Sequence, residues 1–218
     1  MQFYIITYTD RPIGESGESC KSDYNLDHAC PKCGTGAKLN GNLRVKGISN
    51  VRKDFFETLD GDYLISGQLY EKLKDLHPEF ELSAVVDIGN QELEYFHLYS
   101  HTILPRFNKK SSGFVIEDQC PHCLRNGYFN DAKIGDLDRG IPTEITPVKL
   151  CYEESNFEPL LGKNILQTWE CLGLSNRRPH DRYAVRFARP WIIVSQDLKQ
   201  IFERQGLSAI RYEEIKIE

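Results

Sequence analysis

Apolar and polar positions alternate along this chain in short bursts. Phe3–Thr9 interleaves aromatic, aliphatic and Thr side chains, a period-two pattern that predicts a strand. Leu43–Ile48, Leu93–Leu104 and Gly113–Glu117 read the same way. Asp10–Ala29 is rich in Gly, Ser, Asp and Asn and reads as a loop. Turn formers crowd the segment after residue 125: Asn126-Gly127, Asn130-Asp131 and Asp138-Arg139-Gly140. Ile165, Leu166, Trp169 and Leu172 recur at helical spacing, so Ile165–Leu172 is predicted as a helix.

One pattern occurs twice. Tyr63-Leu64-Ile65 runs into Ser66, followed by Leu69, Tyr70, Leu73 and Leu76. Trp191-Ile192-Ile193-Val194 runs into Ser195, followed by Leu198, Ile201 and Phe202. In both, a short apolar strand meets a Ser suited to capping a helix, and apolar residues then recur on one helical face. Each closes on a similar stretch, Leu82-Ser83-Ala84-Val85 and Leu207-Ser208-Ala209-Ile210. In the last strand Ile210 and Tyr212 change phase to Ile215 and Ile217, which predicts a bulge near Glu213-Glu214. The expected fold is α/β (α+β), with two related strand–helix–strand units around mixed sheets. It forms a single domain over 1–218, with pseudo-repeats at 30–104 and 113–218.

Composition narrows the function. With 40% hydrophobic and 27% charged residues the 218-residue chain has the makings of a packed core. The apolar run at the N-terminus stops after four residues and has no basic start, unlike a signal peptide, and no run is long enough to span a bilayer. A cytoplasmic protein with reduced thiols is expected, and seven cysteines, an odd number, fit that better than a disulfide framework. The net charge of −5, without a basic stripe, speaks against nucleic acid and for a basic protein partner.

The cysteines carry the chemistry. Cys30-Pro31-Lys32-Cys33 and Cys120-Pro121-His122-Cys123 each place two thiolates on one turn, and two such pairs supply the tetrahedral sulfur set that zinc takes. Pro31 and Gly34 suit the first turn. The 86 residues between Cys33 and Cys120 require an inserted unit between the knuckles. Cys-Pro-His-Cys also occurs in thiol–disulfide oxidoreductases, but there it opens a long helix, and turn formers follow it here. Four thiolates fill the metal's shell, so one structural Zn2+ and no catalysis is the expectation. Cys20 and His28, just before the first knuckle, are the alternative ligands. Cys151 and Cys171 read as core. His97 and His101 share a strand face and read as surface or half-buried. Arg177–Arg182 is the one basic cluster, and a lone cluster of that kind is usually solvated. No phosphate loop, nucleophile elbow or paired catalytic carboxylates are recognisable.

The two Cys-Pro-x-Cys motifs, together with the tail from Arg189-Pro190-Trp191 through Ser195 to Gly206-Leu207-Ser208-Ala209-Ile210 and Tyr212-Glu213, resemble the double-CXXCG motif family of bacterial toxin immunity proteins. The sequence departs from that pattern at Leu124, which stands where the family has Gly after the second motif. The resemblance implies a cytoplasmic immunity protein that binds and neutralises a cognate toxin, such as a basic nuclease, without contacting nucleic acid or membrane. Carboxylates beside aromatics would meet such a partner: Glu92, Glu94 and Tyr95, or Glu153, Glu154 and Phe157. A zinc-ribbon nucleic-acid-binding or regulatory module is the alternative.

Overall fold

The computed structural model describes residues 2–76, 82–133, 135, 144–160, 162–176 and 186–218. The strands used below are β1 (Phe3–Tyr8), β2 (Glu15–Ser16), β3 (Leu43–Lys46), β4 (Phe55–Glu57), β5 (Tyr63–Ser66), β6 (Ser83–Asp87), β7 (Glu92–Leu98), β8 (Phe114–Ile116), β9 (Tyr128–Asn130), β10 (Ile165–Leu172), β11 (Arg189–Ser195) and β12 (Ile210–Glu214). Helix α1 (Gly67–Leu76) follows β5, and α2 (Gln196–Arg204) follows β11. Strands dominate. The fold is a mixed, sheet-rich α+β arrangement.

Both helices start at the predicted caps. Ser66 Oγ accepts from the Leu69 N–H at 3.1 Å, and Ser195 Oγ from the Leu198 N–H at 3.2 Å. Each bond satisfies one of the first four N–H groups, which have no partner within a helix. Leu69 and Leu73 of α1 and Leu198, Ile201 and Phe202 of α2 are buried. The Leu76 side chain lies outside the described residues.

One sheet runs β10-β11-β1-β12 and the other β2-β3-β6-β7-β5-β4. In the first, β1 is antiparallel to both β11 and β12, so those two are parallel to each other. In the second, β7 is antiparallel to both β5 and β6. Each helix therefore crosses between two parallel strands that have an antiparallel strand between them. The middle strand is β7 in one sheet but β1, outside both 30–104 and 113–218, in the other.

One face of each sheet and both helices make the first core, which includes Ile6, Leu64, Leu73, Ile192, Val194 and Phe202. The far face of the four-stranded sheet, through Phe3, Ile5, Leu166, Trp191 and Ile193, makes the second with Tyr128, Leu150, Tyr152 and Phe157. The apolar run Trp191–Val194 thus serves both faces of one strand.

Three sequence expectations are corrected. Ile165–Leu172 is a strand and not a helix: Ile165, Leu166 and Gln167 pair with Val194, Ile193 and Ile192. A register shift between Gln167 and Cys171 breaks the alternation, leaving an apolar spacing that mimics a helix. Leu93–Leu104 is not one strand. It is regular to Leu98, after which the chain crosses to the other sheet, where the Leu104 N–H donates to the Gln167 carbonyl. Near Glu214, β12 ends and Lys216–Ile217 pairs instead with Cys151–Tyr152, in parallel. The turn at 138–140 and the basic cluster Arg177–Arg182 lie outside the described residues.

Candidate metal centre

Two tight turns of the same form build the sulfur cluster. The Gly34 N–H donates to the Cys30 carbonyl at 2.8 Å, and the Leu124 N–H to the Cys120 carbonyl at 2.9 Å. Both turns force the residue after the second Cys into the left-handed region, Gly34 at φ +84° and Leu124 at φ +56°. At Gly34 a side chain would also collide, since a Cβ there would lie 2.4 Å from the Phe187 ring. Leu124 carries the backbone strain and stays exposed. The departure from Gly seen in the sequence thus falls on a position whose backbone favours Gly.

The turns meet across the chain. Cys30, Cys33, Cys120 and Cys123 place their sulfurs all within 4.8 Å of one another. Cys30 Sγ is 4.0 Å from Cys120 Sγ, and Cys33 Sγ is 3.6 Å from Cys123 Sγ. A tetrahedron of thiolates about 2.3 Å from a metal has edges of about 3.8 Å, so the set fits one ion. Soft sulfur donors in this geometry select zinc or iron. Cys20 is buried beside Ser19, and His28 is exposed; neither belongs to the cluster.

Hydrogen bonds hold the sulfurs in place. The Cys30 N–H donates to the Thr35 carbonyl, and the Cys120 N–H to Oδ1 of the buried Asn126. Thr35 Oγ1 lies 3.1 Å from Cys33 Sγ and 2.7 Å from Ser175 Oγ, which in turn accepts from the Ala188 N–H. Outer bonds of this kind orient ligands and tune the metal. Burial penalises the Cys30 thiolate, but backbone N–H groups of Cys33 and Lys32 outweigh it and bring the thiol down to about 7. Burial pushes Cys123 up to about 12. No helix follows Cys123. The chain turns into β9, as the turn formers predicted.

A second, partly buried node lies beyond Ala188. Arg189 Nη2 donates to Glu18 Oε2 at 2.8 Å, and Arg189 Nε to Asp62 Oδ1 at 2.8 Å. Its remaining N–H groups go to Glu18 Oε1, the Phe187 carbonyl, the Tyr24 hydroxyl and Asp62 Oδ2. Gly17, at φ +66°, leaves the space: a Cβ there would lie 2.5 Å from Arg189 Nη2. Burial opposes the Asp62 charge, but Arg189 and His97 hold its carboxyl well below the usual carboxylate range. His97 Nε2 sits 3.5 Å from Asp62 Oδ1, so His97 is buried and not a surface residue, while His101 is exposed. Sequence reasoning gave Arg189 no role. No spacing motif ties it to Glu18 and Asp62, which reach it from other elements.

The residues expected to meet a partner lie on separate elements. Glu92 and Glu94 are exposed on β7, and Tyr95 is half-buried with its hydroxyl on the Val51 carbonyl. Glu153 and Glu154 are exposed near the C-terminus, where the Glu154 N–H donates to the Glu218 carbonyl. Phe157 is buried in the second core against Phe3 and Tyr152, so it presents no ring to a partner. Cys151 and Cys171 are buried as expected, Cys171 on a strand and not a helix. Among the described residues no helix is long and apolar enough to cross a membrane. A scan against protein-family models finds no match, and a search of curated proteins finds no similar sequence.

Proposed function

We propose that this chain is a cytoplasmic immunity protein that neutralises a cognate toxin by binding it, with one structural zinc ion in the sulfur cluster. The observation that carries the reading is the meeting of two Cys-Pro-x-Cys turns, 86 residues apart, in one four-sulfur site. Four thiolates leave a tetrahedral ion no open position for water or substrate, so such a metal serves the scaffold and not a reaction. The left-handed backbone after each second cysteine supports the double-CXXCG resemblance, because it is the conformation that the family's glycine supplies at no steric cost. We further propose that the β5-α1-β6 and β11-α2-β12 segments are related units, from their shared Ser caps and shared strand arrangement.

The expected partner is a basic toxin such as a nuclease, matched to a chain of net charge −5. The test combines metal analysis with a titration of the toxin encoded beside this gene. One zinc per chain and protection at a fixed stoichiometry are expected. Inactivation of the toxin by catalytic amounts of this protein would refute inhibition by binding.

A further inference from the structure

A cavity of ≈ 130 Å³ opens between the two sheets, beside the loop that follows the first knuckle. An engineered protein cavity of roughly 150 Å³ binds benzene, so this one has room for about one ring. Leu39, Leu98, Ile103 and Ile192 line it together with the rings of Tyr99 and Phe187, walls that suit a flat apolar body. Its charges are unequal. Among the described residues Asp62 is the one carboxylate on the lining, against the cations of Lys38, Arg125 and Arg189.

Asp62 and Arg189 offset each other. Arg189 Nε and Nη2 donate to the Asp62 carboxylate at 2.8 Å and 3.1 Å, and His97 Nε2 stands 3.5 Å from it. Glu18, Asp60 and Glu57 gather near Asp62 but lie off the lining. The cations left over belong to the knuckle side, since Lys38 follows the first knuckle and Arg125 the second. The Arg125 guanidinium is held 5.3 Å from the Trp169 ring centroid, with Nε on the Trp169 carbonyl at 2.9 Å. Its Nη1 reaches the lining residue Gly36, where a Cβ would lie 2.5 Å from it. Among the described residues neither Nη group of Arg125 has a hydrogen-bond acceptor, and Lys38 is exposed without an ion pair. Glu170 feels the Arg125 charge, but it lies off the lining and accepts from the Phe107 N–H. A guanidinium fixed through its ring contact and its Nε, with both Nη groups open, is a preformed fork for a carboxylate.

We propose that this cavity binds a small planar organic anion, a single-ring aromatic carboxylate, with its carboxylate on the Nη groups of Arg125 and its ring in the apolar part of the lining. Lys38, exposed on the lining, draws the anion in by charge. The guest is a free small molecule of about one ring, so the assignment does not rest on the immunity reading.

The test titrates the full, metal-loaded chain at pH 7 by calorimetry with benzoate, against benzamide, benzylamine and phosphate. Ring resonances of Tyr99 and Phe187 are followed by NMR. Saturable benzoate binding is expected, with a dissociation constant on the order of 0.1–1 mM and shifts in both rings. Benzamide has the same shape without the charge, and benzylamine has the opposite charge; both should bind about tenfold more weakly or not at all. Phosphate, which lacks the ring, should do no better. Arg125→Lys keeps the charge but loses the fork, and should weaken benzoate about tenfold. Lys38→Gln, at an exposed position, should weaken it about threefold and carries the test if the first variant misfolds. Circular dichroism and metal content check both folds. No saturation by about 10 mM benzoate overturns the proposal. So does equal or tighter binding of benzamide, benzylamine or phosphate, or unchanged benzoate affinity in every variant that folds.

Discussion

The sulfur cluster and the Arg189 network both tie together segments far apart in the chain, yet they draw on different resources. The cluster joins residues 90 apart through four thiols that can hold a metal ion, which the chain would have to acquire. The network joins Glu18, Asp62 and Arg189, across as many as 171 positions, with charges the chain already carries. Ser175 and Ala188 lie between them, since Thr35 Oγ1 reaches Ser175 and the Ala188 N–H does too. A cluster that needs metal makes folding depend on its supply, whereas a built-in ion network makes it depend on pH and on every partner being present.

The largest effect should come from the cluster. Cys120→Ser is expected to lose the metal and with it a large part of roughly 10 kcal/mol of coupled binding energy, so the chain unfolds or aggregates. Metal analysis and circular dichroism check this. A variant as stable as the parent would assign the scaffold to the ion network alone.

Breaking the network should cost less. Arg189→Met leaves Glu18 and Asp62 buried without their cation, a loss of about 3–5 kcal/mol by denaturant unfolding, with metal content kept. Arg189→Lys should recover only part of that loss, because an ammonium lacks the planar fork that spans both carboxylates.

The pH response separates Asp62 of the network from the carboxyls outside it. Burial and the neighbouring Asp62 push Glu57 up to about 7, so the folded state holds this proton more tightly than the unfolded chain does. Its contribution is present below the ordinary carboxylate range and is lost as pH rises through about 7, on the order of 2 kcal/mol. Burial does the same to Glu170, also up to about 7. Asp62 has the opposite sign, and its contribution disappears only in strong acid. Unfolding measured from pH 6 to 8.5 should therefore show stability falling with pH, and Glu57→Gln should flatten that slope. An unchanged slope would place Glu57 in a more solvated setting.

The smallest effects sharpen the comparison within the cluster. Gly34→Ala should cost about 2 kcal/mol, from a left-handed backbone and the Phe187 ring. Leu124→Gly should stabilise by about 1 kcal/mol, because it removes the same strain without a packing loss. Thermal unfolding of the two variants would reveal opposite signs. Equal signs would mean that the two turns are not under the same backbone constraint.

The residue order was enough to locate the four clustered cysteines and both helix caps, for local reasons. Two cysteines two residues apart present their sulfurs on one turn whatever surrounds them, and a Ser before an apolar helical face caps through its own backbone neighbourhood. The strands β1, β5 and β11 were legible because they are short apolar runs that pack on sheet faces. Ile165–Leu172 was not, because its pairing with β11 and the register shift after Gln167 belong to the partner strand and not to its own spacing. Nor was the place of Phe3–Tyr8 between β11 and β12, which depends on a strand almost two hundred residues away. Arg189, Glu18 and Asp62 look like ordinary charged residues in sequence. Only the tertiary structure, by bringing all three together in a partly buried setting, turns them into a node, since the energy of a charge depends on what surrounds it and not on its neighbours in the chain.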